Sequence, residues 1–428
     1  MSVSQRRGII IAAGAALLVG GYALARCPKQ ETPVTTDAAR PTDDASPSGG
    51  EPVREARTGL VPPLAATVSG TGDVVVAALD GTGLRVQRID GSDRIVATKL
   101  VLADVAPSPD AELKAFASAD GIYVLWRGLH EGKLGRVLVG LDPDLKVRGT
   151  TPLSSSTACA TRTDLWTSDG AKATAHPFAA KGAPRTVPLP TDADVTLLCD
   201  PVAAYAMLDA DEHTDVMTLD DAHTKTGAMR EKDFGEDEQR ELSPYTIDGA
   251  AGFVRLASSG ALAMREIVGG KAGPIHRLKT TIDRDADVVA VDASPASVVI
   301  VYTDEADDAG TSACTRVAAL RIDRKTHEES TIELSPGRCG FEVGPFFTSA
   351  VGDAVSVAWP ERTGGEGRPR APIVSLATTL VAPAGKPALA RIDQAAESLV
   401  DGACDPNGCH AVALNEGVAK VLRYNRKP

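Results

Sequence analysis

Asp120-Gly121-Ile122-Tyr123-Val124-Leu125-Trp126 is the stretch that decides the architecture of most of this chain. An Asp-Gly turn leads into five apolar residues, four of them β-branched or aromatic. A run this short, bounded by turn residues, reads as a strand buried on both faces. Its flanks supply three more strands: Lys114–Ser118 before the turn, Arg136–Leu141 after the run, and Lys146–Leu153 beyond Asp142-Pro143-Asp144. Four strands joined by short connections form an antiparallel meander, lettered here a to d.

The pattern recurs along the chain. Matching b-type runs are Val74–Leu79, Ala204–Leu208, Phe253–Leu256, Val298–Tyr302, Val355–Trp359 and Ala411–Leu414, and a weaker copy ends at Trp166. Their last residues (79, 126, 166, 208, 256, 302, 359 and 414) lie 40 to 57 residues apart. That interval is close to the length of one four-stranded propeller blade. Turns at Asp90-Gly91, Gly269-Gly270 and Asp323-Arg324 separate strands c and d in three further copies. Helical periodicity of useful length is absent, so no crossover helices exist for a parallel sheet. The expectation is an all-β fold, a seven- or eight-bladed β-propeller. The last copy ends after its strand c at Val421–Tyr424, so a segment around Thr58–Leu64 is expected to close the ring by pairing into the last blade and covering its edge.

Composition agrees. Gly and Pro together make 68 of 428 residues, and aromatic residues only 4%, which favours turns over long helices. The net charge is −12 with no basic block in the body of the chain. Nucleic-acid binding and electrostatic docking to anionic lipid both need clustered Lys and Arg, so both are disfavoured.

The N-terminus carries an export signal. Arg6 and Arg7 precede an apolar run from Gly8 to Ala25, and Ala23-Leu24-Ala25 fits a small-residue cleavage site. The run, about 18 residues, is also near the minimum for a membrane-spanning helix. Three fates stay open: cleavage after Ala25, retention as an anchor with its basic end inside, or lipidation at Cys27, where Arg26 departs from the small residue that lipidation prefers. Residues 1–27 are therefore a signal peptide or membrane anchor. Residues 28–57, rich in Pro, Ser, Thr and Asp, are a disordered linker unable to bury enough apolar area to offset its ordering entropy. Residues 58–428 are the propeller. The protein is expected outside the cytoplasm, membrane-anchored or secreted.

Six cysteines remain in the body: 159, 199, 314, 339, 404 and 409. An even count in an exported protein points to disulfides. In a meander the a–b and c–d turns share one face, and the b–c and d–a connections share the other. Pairing Cys159 with Cys199, Cys314 with Cys339 and Cys404 with Cys409 keeps each bridge on one face, within or between neighbouring blades. No C-x2-C spacing favours zinc.

Candidate sites lie on the face of the long connections, Glu231–Pro244, Asp304–Cys314, Leu334–Phe347 and Pro360–Pro372, since binding concentrates on loops held by a rigid scaffold. Asp233, Glu236 and Asp237 share one loop, and Arg362, Arg368 and Arg370 another, giving a candidate ligand-binding surface of mixed charge. Asp285, Asp287, Asp304 and Asp307 converge on one rim and could hold structural Ca2+, which takes six to eight oxygen ligands; turn-forming Asp is the competing reading. No other cofactor is implied. The chain has no H-E-x-x-H, G-x-S-x-G or P-loop, and its seven histidines are scattered.

The runs ending at Tyr302 and Trp359, each followed by a loop and then Val317–Ile322 or Ile373–Leu376, resemble the degenerate repeats of exported bacterial propellers of the sialidase-like type. The resemblance spans most of residues 60–428. It implies the fold alone, because no S-x-D-x-G-x-T-W box is present and no catalytic residue carries over. The expected function is binding of a protein or other ligand, a glycan included, through one-sided loops. The alternative is an extracytoplasmic hydrolase or lyase acting on glycans or esters.

Overall fold

Every one of the eight apolar runs is the second strand of an antiparallel sheet. The computed structural model describes residues 55–57, 64–69, 71–80, 82–103, 105–106, 112–130, 133–154, 157–191, 193–210, 213–219, 225–230, 239–306, 314–363, 373–396, 398–405, 408–415 and 418–424. Among them all regular structure is β, arranged as eight sheets of four or five strands. In the blade read first, strands a to d are Glu112–Ala117, Ile122–His130, Lys133–Leu141 and Val147–Leu153. The weak copy around Trp166 is a complete blade too: Ala158–Ala160, Asp164–Ser168, Lys172–Pro177 and Arg185–Pro188. The ring therefore has eight blades.

Strand b is apolar throughout because both of its faces meet a neighbouring blade. In blade 1, Val75, Ala77 and Leu79 pack with Val124 and Trp126 of blade 2. The alternate residues Val74, Val76 and Ala78 pack with Val412 and Leu414 of blade 8. Trp126 and Trp359, the bulky ends of two copies, are fully buried. The first strands line the inside of the ring: strand a of blade 1 (Leu64–Val68) touches strand a of blade 2 on one side and of blade 8 (Ser398–Asp405) on the other. Blades 3 to 8 follow in chain order through the same contacts.

Closure uses the N-terminal segment, slightly upstream of the expected place. Glu55–Arg57 pairs antiparallel with Val418–Tyr424, Glu55 opposite Leu422 and Arg57 opposite Lys420, and so supplies strand d of blade 8. The displacement has a geometric reason. Crossing from an outer to an inner strand spans about three inter-strand spacings, roughly 14 Å. Extended chain needs at least about four residues for that distance, so the stretch after Arg57 serves as the connection.

Neighbouring blades are also latched by arginines. Arg88 and Arg321 each sit two residues before the c–d turn, in Arg88-Ile89-Asp90 and Arg321-Ile322-Asp323, and Arg423, followed in sequence by Tyr424 and Asn425, holds the matching place on strand c of blade 8. Arg88 donates to the carbonyl of Pro143 in the c–d turn of blade 2, Arg321 to that of Ala382 in blade 7, and Arg423 to that of Asp90 in blade 1. The turn aspartates hold the receiving loops in shape. Asp90 accepts from the backbone N–H of Ser92 and Arg94, and Asp142 from Asp144 and Lys146.

Candidate functional site

The connections expected as long loops on the b–c and d–a face are in good part ladder. Strand b of blade 6 runs Ser297–Ala306, its strand d Glu329–Cys339, and strand b of blade 7 Ala354–Thr363. Gln239–Ile247, placed partly in a loop by the sequence, is strand a of blade 5. An apolar run marks where a strand is buried, not where its ladder stops. Past Tyr302, the polar residues Thr303, Asp304 and Glu305 still pair with Val317, Arg316 and Thr315. Pro360 is tolerated inside a central strand because its inner neighbour is interrupted there. Phe347–Val351 covers residues 354–358 and Phe341–Val343 covers 361–363, and the Gly344 N–H donates to the Pro360 carbonyl in the gap (3.1 Å).

The result is a raised, cross-braced platform on blades 6 and 7. Cys314 opens strand c of blade 6, Cys339 closes its strand d, and the two are register partners joined by a disulfide. On the blade 5 side, Arg316 grips Asp304 with both prongs of its guanidinium, its Nε lying 2.8 Å from Oδ1. The carboxylate holds Arg316 firmly in its charged form, raising its pKa. Between blades 6 and 7, Glu361 is 1% exposed. Its Oε2 accepts from the Ser375 hydroxyl at 2.7 Å and from Arg391 Nε at 3.0 Å. The same guanidinium reaches across to the Ser335 hydroxyl of blade 6 (3.3 Å). A buried carboxylate is tolerable only when its lone pairs are taken up in this way.

Of the expected site residues, Asp287 stands opposite Thr303, next to Asp304 along the strand but on the other face of the sheet. Asp304, however, is committed to Arg316. The Asp285 N–H caps the Asp283 carboxylate at 3.2 Å, a turn-forming role. No group of three or more His, Cys, Asp or Glu side chains suited to a metal ion occurs among the described residues. Arg362 is half-buried, opposite Glu342 on one side and Ile373 on the other. Asp233, Glu236, Asp237, Arg368, Arg370 and Asp307 lie outside the described residues, as do Ala25 and Cys27. The Cys159–Cys199 disulfide links the inner strands of blades 3 and 4 with Cα atoms 5.6 Å apart. Cys409, opposite Cys404 in the first hairpin of blade 8, is also disulfide-bonded.

Two ionisable groups that the sequence did not single out stand in unusual surroundings. Asp292, on inner strand a of blade 6, has its carboxyl pushed up to about 6 by burial, against the opposing pull of the Ala293 N–H and the Thr348 hydroxyl of blade 7. His410, on strand b of blade 8, is fully enclosed, and burial together with Arg423 holds its imidazole down to about 3. Both lie in stretches that read simply as strand, where an isolated polar residue gives no signal of its depth.

No family model matches the chain, and no curated protein matches it. Similar solved structures include the computationally designed Ika8 protein, 13% identical over 86% of this chain and 96% of that one, with a TM-score of 0.48. The WD40 domain of SCAP from fission yeast is 8% identical, covering 87% and 98% of the two chains at a TM-score of 0.45. The Nup133 β-propeller domain of Vanderwaltozyma polyspora is 11% identical over 72% and 90%, at 0.35.

Proposed function

We propose that this protein is an extracytoplasmic binding scaffold whose propeller presents the platform of blades 6 and 7 to a protein or other ligand, with the N-terminal segment holding it at a membrane. The observation that carries the reading is the bracing of that platform. A disulfide, the Asp304–Arg316 pair and the Glu361–Arg391–Ser335 bridge all stiffen one sector of one face. A rigid site lowers the entropy cost of binding. The disulfides agree with an oxidising compartment, and one-sided elaboration of a symmetric ring is how such scaffolds become selective. The test is capture from cell-envelope extracts by the full chain, compared with a variant carrying Arg362→Glu and Glu342→Lys together. Loss of a specific partner in the variant, with unchanged melting, is expected. Equal capture by both proteins, or turnover of glycan or ester substrates by the purified protein, would sink the proposal. Repeating the capture with EDTA tests calcium at the Asp285–Asp307 rim.

A further inference from the structure

We propose that the joint between blades 8 and 1 is an acid-sensitive latch, in which proton uptake by His410 frees the closing strand Glu55–Arg57 from the ring. At the joint the first and last described strands pair. It is held by a three-residue strand, whereas the outer strand of blade 1 has nine residues and that of blade 6 eleven. Behind it stands a buried polar group. Arg423 donates from Nε to Asp93 Oδ1 at 2.6 Å and from Nη2 to the Asp90 carbonyl at 2.8 Å, tying strand c of blade 8 to the c–d turn of blade 1. Both side chains of the ion pair are at most 10% exposed.

His410 is the register partner of Arg423 on the adjacent strand and is 2% exposed. Among the described residues its Nε2 has no hydrogen-bond partner, and neither has Asp93 Oδ2. The charged groups bearing on the imidazole are Arg423 and, beyond it, Asp93 and Asp90 of the blade 1 turn; Ala403, opposite it on strand a, carries no charge. A proton on His410 would place a second cation, enclosed and without a partner, beside the guanidinium. That charge is relieved most cheaply by parting the blades, which lets water reach both groups. Because the folded imidazole is held down to about 3 and an ordinary one titrates at 6.5, the closed joint is fully stable above about pH 6.5 and weakens as the pH falls below it. One extra proton bound in the open form raises the open fraction about tenfold per pH unit.

The experiment is amide hydrogen exchange of the full chain at pH 7.5 and pH 5, corrected for intrinsic exchange rates. Protection of Glu55–Arg57 and Lys420–Leu422 is expected to fall about thirtyfold at pH 5, with the strands Asp194–Cys199 and Ala204–Ala210 of blade 4 unchanged. In His410→Gln the pH dependence is expected to vanish. The proposal is overturned if the variant keeps the same pH dependence, if the wild-type joint opens no more than blade 4, or if acid tightens it, as an imidazolium–Asp93 bond would. Should His410→Gln fail to fold, the comparison of joint and blade 4 within the wild type still decides.

Discussion

Replacing Asp292 with Asn should make the protein more stable at neutral pH. The side chain sits between the inner strands of blades 6 and 7, with its carboxyl pushed up to about 6 from an ordinary value of 3.8. A raised acid means that the folded state resists ionisation. Above about pH 6 the full cost of ionising it in place is present; as the pH falls through 6 toward 3.8 the folded carboxyl takes up its proton and the cost disappears. A shift of about two units corresponds to about 3 kcal/mol. Asn carries no charge and keeps the geometry, since its amide oxygen can accept from the Ala293 N–H while its NH2 donates to the Thr348 hydroxyl. Urea unfolding at pH 7.5 and pH 4 measures the difference. The Asn variant is expected to lie above the wild type by up to about 3 kcal/mol at pH 7.5, with most of that gap gone at pH 4. A gap of the same size at both pH values would refute the reasoning, as would an Asn variant less stable at pH 7.5. The first result would mean that ionising Asp292 carries no cost in the fold, the second that groups favouring its charged form outweigh its burial.

Truncating Glu361 to Ala removes the acceptor of the Ser375 hydroxyl and of the partly exposed Arg391 guanidinium and should cost about 2 kcal/mol in chemical denaturation, with Glu361→Gln recovering part of it through the Ser375 hydroxyl. Replacing Cys314 and Cys339 together by Ser removes the cross-link that closes a 25-residue separation, an expected loss of about 3 kcal/mol. Increased hydrogen exchange should then be confined to blades 6 and 7; loosening spread evenly around the ring would argue against a local brace.

The fold was legible because strand b announces itself. Val74–Leu79, Ile122–Trp126 and Val298–Tyr302 are apolar without alternation, which only a strand covered on both faces needs to be, and their spacing left the count at seven or eight blades until the weak copy at Trp166 was seen to be a complete blade. The cysteines were readable for a related reason: the meander fixes which turns share a face, and Cys314 and Cys339 are placed together by that rule. Strand ends were not legible. Thr303 to Ala306 look like loop, yet they continue the ladder because their partners from Cys314 onward continue it too. The candidate site was legible only as a region. Asp304 was recognised as one of several converging carboxylates, but its tie to Arg316 depends on a register that sequence does not state. Glu361 follows Trp359-Pro360 in what read as the start of a loop, and nothing local reveals that Arg391, 30 residues on, neutralises it. The arginine latches did leave a trace, the repeated Arg–apolar–Asp or Asn ending of strand c, visible once Arg88, Arg321 and Arg423 are aligned.

The direction of the closing strand has a mechanical consequence. Because Glu55 stands opposite Leu422 and Arg57 opposite Lys420, the chain enters the ring from the side of the a–b and c–d turns. The braced hairpins of blades 6 and 7 stand on the reverse side. A pull applied through the N-terminus therefore acts along the closing strand, loading its ladder pairs in shear together rather than peeling them one at a time. Three pairs loaded in that way resist force better than their number suggests.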